Sequence, residues 1–343
     1  MTKSSTPQLR NPRSKLPPRS VHIVGTGSYL PARVLTNADL EKLIDTTDEW
    51  IVSRTGIRER RIASAQECTS DMGAEAARRA IAQAGISVDD IDLIICATLT
   101  PDMPFPATAC LIQHKLGAKR SAAFDIEAAC SGFLFALEIG QQFITSGTYN
   151  TVLVIGAEKL STIVDWEDRG TCVLFGAGAG AAILHSRGEE HGILTTCMGA
   201  DGSLSDILLM PAGGARYPAS KESVSGRMHY LKMAGKEVFK HAITAMQTAA
   251  ETALAKCNLK ISDIKCIIPH QANIRILEAI ADRLDAPMEK VYINLDRYGN
   301  VSAASVAIAL DEAARAGRFQ RGDLILLIVF GSGLTWAACV IQW

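Results

Sequence analysis

The sequence predicts an α/β fold in which helices cover parallel sheets, built as two similar halves. Two observations predict it: apolar runs alternate with helical patterns from residue 20 onward, and one stretch recurs in the second half of the chain. The chain has 343 residues, of which 48% are hydrophobic and 21% charged. It is therefore long enough for a large core and too apolar for general disorder.

The first half begins with a short apolar strand at residues 21–24, which we expect to end at Gly25. The alternation then predicts, in order, the helix 71–84, the strand 91–97, the helix 108–116, the strand 122–126, the helix 131–145 and the strand 151–156. Because parallel strands need a long crossover, which a helix usually supplies, this order favours parallel sheets with helices on both faces.

The second half continues the same alternation. It predicts the helix 238–256, the strand 264–268, the helices 274–284 and 302–316, and the strands 323–330 and 335–341. Near the end of the first half, residues 176–180 alternate glycine with alanine. This pattern favours a strand that packs closely against a neighbour.

An internal repeat relates the two halves. The run AGISVDDIDLIICA at 84–97 aligns without a gap on CNLKISDIKCIIPH at 257–270, and FDIEAACSG at 124–132 resembles LDRYGNVSA at 295–303. Such a repeat predicts a pseudo-twofold axis, with a cleft where equivalent strand ends meet.

The expected organisation is a tail and two halves. Residues 1–20 contain five basic residues, four prolines and no acid, which predicts a separate disordered tail. We expect the halves to occupy residues 21–190 and 191–343.

Composition excludes several functions. Thirty-five Lys and Arg face 36 Asp and Glu, so no basic excess points to nucleic acid. No apolar run reaches the roughly 18 residues of a membrane span. Nine cysteines without a C-x-x-C pair argue against zinc and against a disulfide framework, and they favour a cytoplasmic protein. No metal site is expected, because no zinc-binding spacing of cysteines occurs, and no dinucleotide cofactor is expected, because GTGSYL at 25–30 lacks the third glycine of the dinucleotide motif.

Cys130 is the candidate nucleophile. It follows a predicted strand and opens the apolar run SGFLFAL, which predicts a buried helix. The positive end of a helix dipole favours a thiolate at this position. Most of the other cysteines lie inside apolar runs, where a thiol acts as a small hydrophobic group.

Polar residues of the second half are candidate partners of Cys130. His270 ends the repeated strand, where α/β sheets place ligands, and the pseudo-twofold would set Asn300 across the cleft from Cys130. Asn300 is alternatively an ordinary turn residue that precedes a helix. Asn273, in the polar cluster after His270, could serve only as the cap of the next helix. The glycine-flanked Ser332 turn either directs a backbone N–H into the cleft as an oxyanion donor or is a plain hairpin turn.

Seven motifs together resemble the β-ketoacyl-acyl-carrier-protein synthase III family, the initiating condensing enzymes of type II fatty-acid synthesis. They are DTTDEWIVSRTGIRERR (45–61), AACSGF (128–133), EKLS (158–161), DRGTCVLFGAGAGA (168–181), GKEVFKHA (235–242), PHQANIRI (269–276) and YGNVSAAS (298–305). The resemblance covers residues 21–343. It implies the thiolase-like, five-layered αβαβα fold and a homodimer.

The resemblance also implies the site residues. The catalytic triad would be Cys130, His270 and Asn300, with backbone N–H groups of Cys130 and Ser332 as the oxyanion hole. Phe105 would reach the acyl pocket of the partner subunit, and Lys240 and Arg275 would dock the carrier protein. The residues implied to bind coenzyme A and its pantetheine arm are Thr46, Trp50, Arg54, Arg169, Gly170, Phe239 and Asn273.

The implied reaction is a decarboxylative condensation of an acyl-CoA, by family default acetyl-CoA, with malonyl-acyl-carrier protein through an acyl-Cys130 intermediate. The alternatives are a non-decarboxylating acyltransferase or a secondary-metabolite condensing enzyme with the same triad. A degradative thiolase is disfavoured, because it would need a second cysteine at the Ser332 turn and none is present there. A non-catalytic scaffold is disfavoured, because it would not need the triad. Three positions depart from the family pattern: Lys236, Ala177 and Ser332.

Overall fold

The computed structural model describes residues 19–187 and 192–343. The predicted tail lies outside these residues, except for Arg19 and Ser20. Residues 190 and 191, where we expect the halves to meet, also lie outside them. The tail and the domain boundaries therefore stay predictions.

The described residues form alternating strands and helices. The first half contains β1 (Ser20–Tyr29), β2 (Arg33–Thr36), α1 (Asn37–Leu40), α2 (Asp48–Thr55), β3 (Glu59–Ile62), α3 (Thr69–Ala84), β4 (Leu93–Ala97), α4 (Thr108–Leu116), β5 (Ala122–Ile126), α5 (Gly132–Thr145), β6 (Thr151–Lys159), α6 (Arg169–Cys172) and β7 (Ala177–Arg187). The second contains β8 (Gly192–Ala200), β9 (Leu208–Leu209), α7 (Lys221–Ser225), β10 (Lys232–Met233), α8 (Gly235–Lys256), β11 (Cys266–Pro269), α9 (Ile274–Arg283), α10 (Leu295–Tyr298), α11 (Ala304–Arg315), β12 (Leu324–Gly331) and β13 (Thr335–Gln342).

Two mixed sheets form the framework. In the first, ordered β1-β7-β6-β4-β5, strand β4 runs parallel to β5 and β6, whereas β7 runs antiparallel to β1 and β6. In the second, ordered β11-β12-β13-β8, only β11 and β12 are parallel. The expectation of parallel sheets was therefore wrong for the remaining pairs. A short turn joins β12 to β13, and such a turn reverses the chain direction.

The two sheets correspond strand by strand. When the strand order β4-β6-β7-β1 is aligned with β11-β12-β13-β8, strands β4 and β11, which carry the sequence repeat, occupy equivalent positions. The counterpart of β5 is reduced to a single parallel bridge between Ile267 and Val291. This order agrees with the duplication that the repeat predicted.

The helices complete five layers. Helices α5 and α11 lie between the two sheets, where Phe133 and Leu310 join inward side chains such as Val154 and Leu327 in one core. Helices α3 and α4 cover the outer face of the first sheet, and α8 and α9 cover that of the second. The order helix, sheet, helix, sheet, helix is the predicted αβαβα architecture.

Glycines let these layers approach closely. Strand β1 runs on past Gly25, where a Cβ atom would lie 2.5 Å from the Ala80 carbonyl oxygen of α3. A Cβ at Gly180 in β7 would lie 2.5 Å from the Cβ of Ala307 in α11. The close packing predicted for the glycine–alanine run is therefore confirmed.

Candidate active site

A cavity of about 640 Å³ is lined by both halves of the chain. Its wall includes Cys130 from the first half and His270, Asn300 and Ser332 from the second. The fold therefore brings together the four residues that the sequence placed around a cleft.

The ends of the two central helices explain this meeting. A Cβ at Gly132, the first residue of α5, would lie 3.6 Å from the Cβ of Ala303, which caps α11. Cys130 comes just before α5, and Asn300 comes shortly before α11. The pseudo-twofold thus sets the two loops side by side.

Cys130 lies in a 3₁₀ turn, Ala129–Ser131, that leads into α5. Ala129 has a left-handed φ of 45°, and its N–H donates to the Glu127 carboxylate at 2.8 Å. Burial raises the pKa of the thiol to about 12; Ser302 opposes the shift, while Glu158 and Glu127 add to it. Burial thus opposes the thiolate that the helix end favours, so the expectation of a thiolate stays a prediction.

His270 follows β11 directly and is 4% exposed. Its backbone N–H donates to the Ile328 carbonyl at 2.8 Å, which fixes the residue to the neighbouring strand. Ring atom Nδ1 has no hydrogen-bond partner among the described residues. Burial lowers the pKa of the imidazole to about 4, so at neutral pH the ring is uncharged and carries one N–H donor.

Asn300 is fixed through its backbone and through one side of its amide. Its N–H donates to the Leu174 carbonyl at 2.8 Å, and its carbonyl accepts from Gly176 at 2.9 Å. The side-chain oxygen accepts from the Ser302 N–H at 2.8 Å. The amide NH₂ group is therefore the part that can donate to a ligand.

The Ser332 turn lies against the cysteine turn. A Cβ at Gly331 would lie 2.7 Å from the Cys130 backbone nitrogen and 3.2 Å from that of Ser131. The Ser332 hydroxyl donates to the Leu208 carbonyl, and Thr335 Oγ1 donates to the Ala128 carbonyl at 3.0 Å. The Ser332 turn is thus packed against the backbone of Cys130, although the two loops are distant in sequence.

An aromatic and cationic cluster lies where α2 meets α6. Trp50 and Arg54 line the cavity, and the Arg54 and Arg169 guanidinium carbons lie 5.0 and 4.6 Å from the Trp50 ring centroid. Gly170, Phe239, Asn273 and Arg275 also line the cavity. The Asn273 side chain accepts from the Arg275 N–H at 2.9 Å, so it caps α9 and lines the cavity at once.

Four implied residues do not line this cavity. Arg169 only borders it through Trp50, and its Nη1 donates to the Asp45 carbonyl at 3.0 Å. Thr46 is half-buried with an unpartnered hydroxyl, and Lys240 is exposed on α8. Phe105 is 83% exposed and stands on the surface of the chain.

Sequence reasoning missed much of the apolar wall. Leu99, Leu160, Val173, Leu208, Leu231 and Met233 line the cavity from loops and short strands. No periodic pattern marks these positions, because each element contributes only one or two of them. It also missed Glu158, a fully buried carboxylate near the end of β6 whose pKa is raised to about 7 by burial.

No group of three or more His, Cys, Asp and Glu is placed to hold a metal ion in the described part of the chain. Across the same residues, no helix combines the length and apolarity needed to cross a membrane. All nine cysteines are free thiols.

Two family models match the chain. The model for 3-oxoacyl-[acyl-carrier-protein] synthase III matches residues 124–202, and the model for its C-terminal part matches residues 254–343. The β-ketoacyl-[acyl-carrier-protein] synthase III of Caldanaerobacter subterraneus is 56% identical over 321 residues, covering 94% of this chain and 97% of the relative.

Solved structures agree with this similarity. 3-Oxoacyl-[acyl-carrier-protein] synthase III from Aquifex aeolicus matches with a TM-score of 0.88 and 50% identity, covering 94% of this chain and 100% of that one. The priming β-ketosynthase of the R1128 polyketide pathway matches with a TM-score of 0.89 and 37% identity, covering 98% of each chain.

Proposed function

The chain belongs to the β-ketoacyl-acyl-carrier-protein synthase III family of condensing acyltransferases, and from this membership we propose how its residues carry out the reaction. The enzyme condenses an acyl-CoA with malonyl-acyl-carrier protein, releases carbon dioxide and forms a 3-oxoacyl-carrier protein, which initiates fatty-acid synthesis. One observation carries the assignment of residues: a cysteine, a neutral histidine and an asparagine amide line one cavity.

The first step acylates Cys130. Its sulfur attacks the thioester carbonyl of the acyl-CoA, the carbon–sulfur bond to coenzyme A breaks, and an acyl-Cys130 remains. The backbone N–H groups of Cys130 and Ser332 hold the transient oxyanion. The contact between Gly331 and the Cys130 nitrogen supports this role, because it keeps the two loops in fixed relation.

The second step decarboxylates the malonyl thioester. The His270 ring N–H and the Asn300 NH₂ group donate hydrogen bonds to the thioester oxygen, where negative charge develops as carbon dioxide leaves. The resulting carbanion attacks the acyl-Cys130 carbonyl and releases the sulfur. The lowered pKa of His270 supports this assignment, because a neutral ring keeps one N–H donor for the enolate oxygen and carries no positive charge that would stabilise the malonyl carboxylate before carbon dioxide leaves.

Coenzyme A binding uses the cluster around Trp50. We assign the adenine to a position between Trp50 and Arg169, which requires Arg169 to move off the ring. Thr46, Arg54, Gly170, Phe239 and Asn273 complete the binding of the nucleotide and the pantetheine arm. Arg275 and Lys240 attract the acidic carrier protein, and Lys236 adds a further cation at the cavity.

The active form is a homodimer in this proposal. A phenyl side chain that is 83% exposed, as Phe105 is, is buried most simply by a second copy of the chain. There it would close the acyl pocket of the partner, and we assign acetyl-CoA as the primer. The free thiols fit a cytoplasmic location.

Priming of a polyketide is the second candidate function. The similarity to the R1128 priming β-ketosynthase, which covers 98% of this chain, favours it. Both functions use the same two chemical steps and differ in the acyl primer and in the carrier protein.

Intact-protein mass spectrometry tests the proposal. After treatment with acetyl-CoA the chain should gain one acetyl group, and Cys130→Ala should gain none. The acetylated protein should then release carbon dioxide from malonyl-acyl-carrier protein. An adduct without carbon dioxide release would indicate a non-decarboxylating acyltransferase, and a longer acyl-CoA that outcompetes acetyl-CoA would favour polyketide priming.

A further inference from the structure

Arg60 of β3 is a fully buried arginine whose hydrogen-bond partners are uncharged. Nη1 donates to the Leu35 carbonyl at 3.2 Å and to the Asn37 amide oxygen at 2.8 Å, and Nη2 donates to the Val173 carbonyl at 2.7 Å. Burying a charge among neutral oxygens costs free energy, which an apolar side chain would avoid. What the arginine provides is a rigid plane of donors that joins three separate segments of the chain.

Asn37 extends this contact to both ends of α2. It is 1% exposed, and its Nδ2 donates to Asp48 Oδ1 and to the Ile57 carbonyl, each at 2.8 Å. Asp48 is the first residue of α2, and Ile57 follows the glycine that ends this helix. Trp50 and Arg54 lie between these two contacts. One amide therefore fixes the helix at its start and just past its end, together with the two side chains that line the cavity.

Val173 connects the same guanidinium to α6. It caps the C-terminus of this helix, which begins at Arg169. The Arg169 guanidinium carbon lies 4.6 Å from the ring centroid of Trp50, across the space between α6 and α2. The two helices have only four and eight residues, and helices this short depend on tertiary contacts for their position. Arg60 thus joins the two elements on either side of the position that we assign to the adenine.

We infer that Arg60 and Asn37 are positioning residues that hold α2 and α6 at the spacing which the nucleotide end of coenzyme A requires. The inference rests on the proposed function, because it needs the adenine to bind between side chains of these two helices. Neither Arg60 nor Asn37 lines the cavity. Their loss should therefore weaken binding of the nucleotide and leave the chemistry at Cys130 unchanged.

Single-turnover acylation followed by intact-protein mass spectrometry tests the inference, with acetyl-CoA and acetyl-pantetheine compared as donors. Acetyl-pantetheine has the same thioester but no nucleotide. Asn37→Asp keeps an acceptor for Arg60 and loses the N–H donors to the ends of α2. The acetyl-CoA concentration that gives the half-maximal rate should rise roughly 10-fold in this variant, while the maximal rate stays near that of wild type. Arg60→Met should show the same change, and acylation by acetyl-pantetheine should be unaltered in both variants.

Two further variants make the test specific. Arg61→Met is the matched control, because this neighbouring arginine of β3 donates instead to the Pro31 carbonyl at 3.2 Å, and it should behave as wild type with both donors. Trp50→Ala should lose efficiency with acetyl-CoA alone. Adding Asn37→Asp to Trp50→Ala should cause little further loss, because both substitutions act on the same contact with the nucleotide.

Equal losses with both donors in Asn37→Asp and Arg60→Met would indicate general structural damage and would overturn the inference. Asn37→Asp decides the outcome alone where Arg60→Met does not fold. Unchanged acylation by acetyl-CoA in these variants, with a selective loss in Trp50→Ala, would overturn the inference and leave the proposed function intact. A Trp50→Ala variant that accepts both donors as well as wild type does would overturn the proposed position of coenzyme A, and the inference with it.

Discussion

Asn300 and His270 are each fixed by hydrogen bonds through one part of the residue, and another part is left to donate a hydrogen bond to a ligand. Asn300 is fixed through its side-chain oxygen, which leaves its NH₂ group, and His270 is fixed through its backbone, which leaves the ring. Such fixed donors stabilise developing charge without reorganising during the reaction. The sequence predicted these residues from their places at strand and helix ends. It could not predict the raised pKa of Cys130, which arises from burial and from Glu158 and Glu127, brought close by folding.

At the scale of single residues, His270→Ala should separate the two steps. Loss of one oxyanion donor costs about 2.7–4 kcal/mol in the barrier, so carbon dioxide release from malonyl-acyl-carrier protein should fall roughly 100- to 1000-fold. Acylation of Cys130 by acetyl-CoA should stay near the wild-type rate, as mass spectrometry can check. An equal loss in both steps would count against a role restricted to decarboxylation. His270→Gln retains an N–H donor and should lose less.

At the scale of elements, the sequence predicted regular segments better than the wall of the cavity. The predicted helix 108–116 and strand 122–126 coincide with α4 and β5. The short elements β2, β3, β9 and β10 were missed, because contacts distant in sequence stabilise them. Buried Arg60 of β3, for example, donates to the Leu35 and Val173 carbonyls at 3.2 and 2.7 Å. No local pattern of residues encodes such a contact.

The junction between β12 and its turn gives a prediction for one element. Gly331→Ala would press a methyl group against the Cys130 nitrogen, 2.7 Å away, and should displace the cysteine turn. Overpacking of this kind lowers the free energy of unfolding by about 1–3 kcal/mol. The rate of Cys130 acylation should fall even at temperatures where the variant remains folded, because the displaced turn carries the nucleophile. Gly202→Ala is the matched control, because nothing lies within 4 Å of its added methyl group. Normal acylation in Gly331→Ala would show that the turn tolerates displacement.

At the scale of the whole molecule, the halves interlock through their central helices. Helix α11 of the second half lies on β6 and β7 of the first, where Gly156 and Gly180 leave room for it. The internal repeat predicted two related halves. It could not predict how tightly they pack, because that depends on which backbone atoms face these glycines after folding.

Gly180→Ala should therefore destabilise the whole molecule. The added methyl group would meet the Ala307 side chain at 2.5 Å and backbone atoms of α11 at 2.6 and 2.7 Å. We expect a loss of about 1–3 kcal/mol in the free energy of unfolding, measured by chemical denaturation at one fixed protein concentration. Gly214→Ala, which has open space around it, should change stability little. Equal stability of the two variants would contradict close packing of the halves.

In the proposed reaction, one cavity serves both carbon donors, because the same sulfur first receives the acyl group and then releases it. Spent coenzyme A would have to leave before the arm of the carrier protein could take its place. We therefore expect coenzyme A released by the first step to compete with the second substrate and to slow turnover when it accumulates. A shared cavity would thus make the commitment of carbon to new chains sensitive to how much of the coenzyme A supply is acylated.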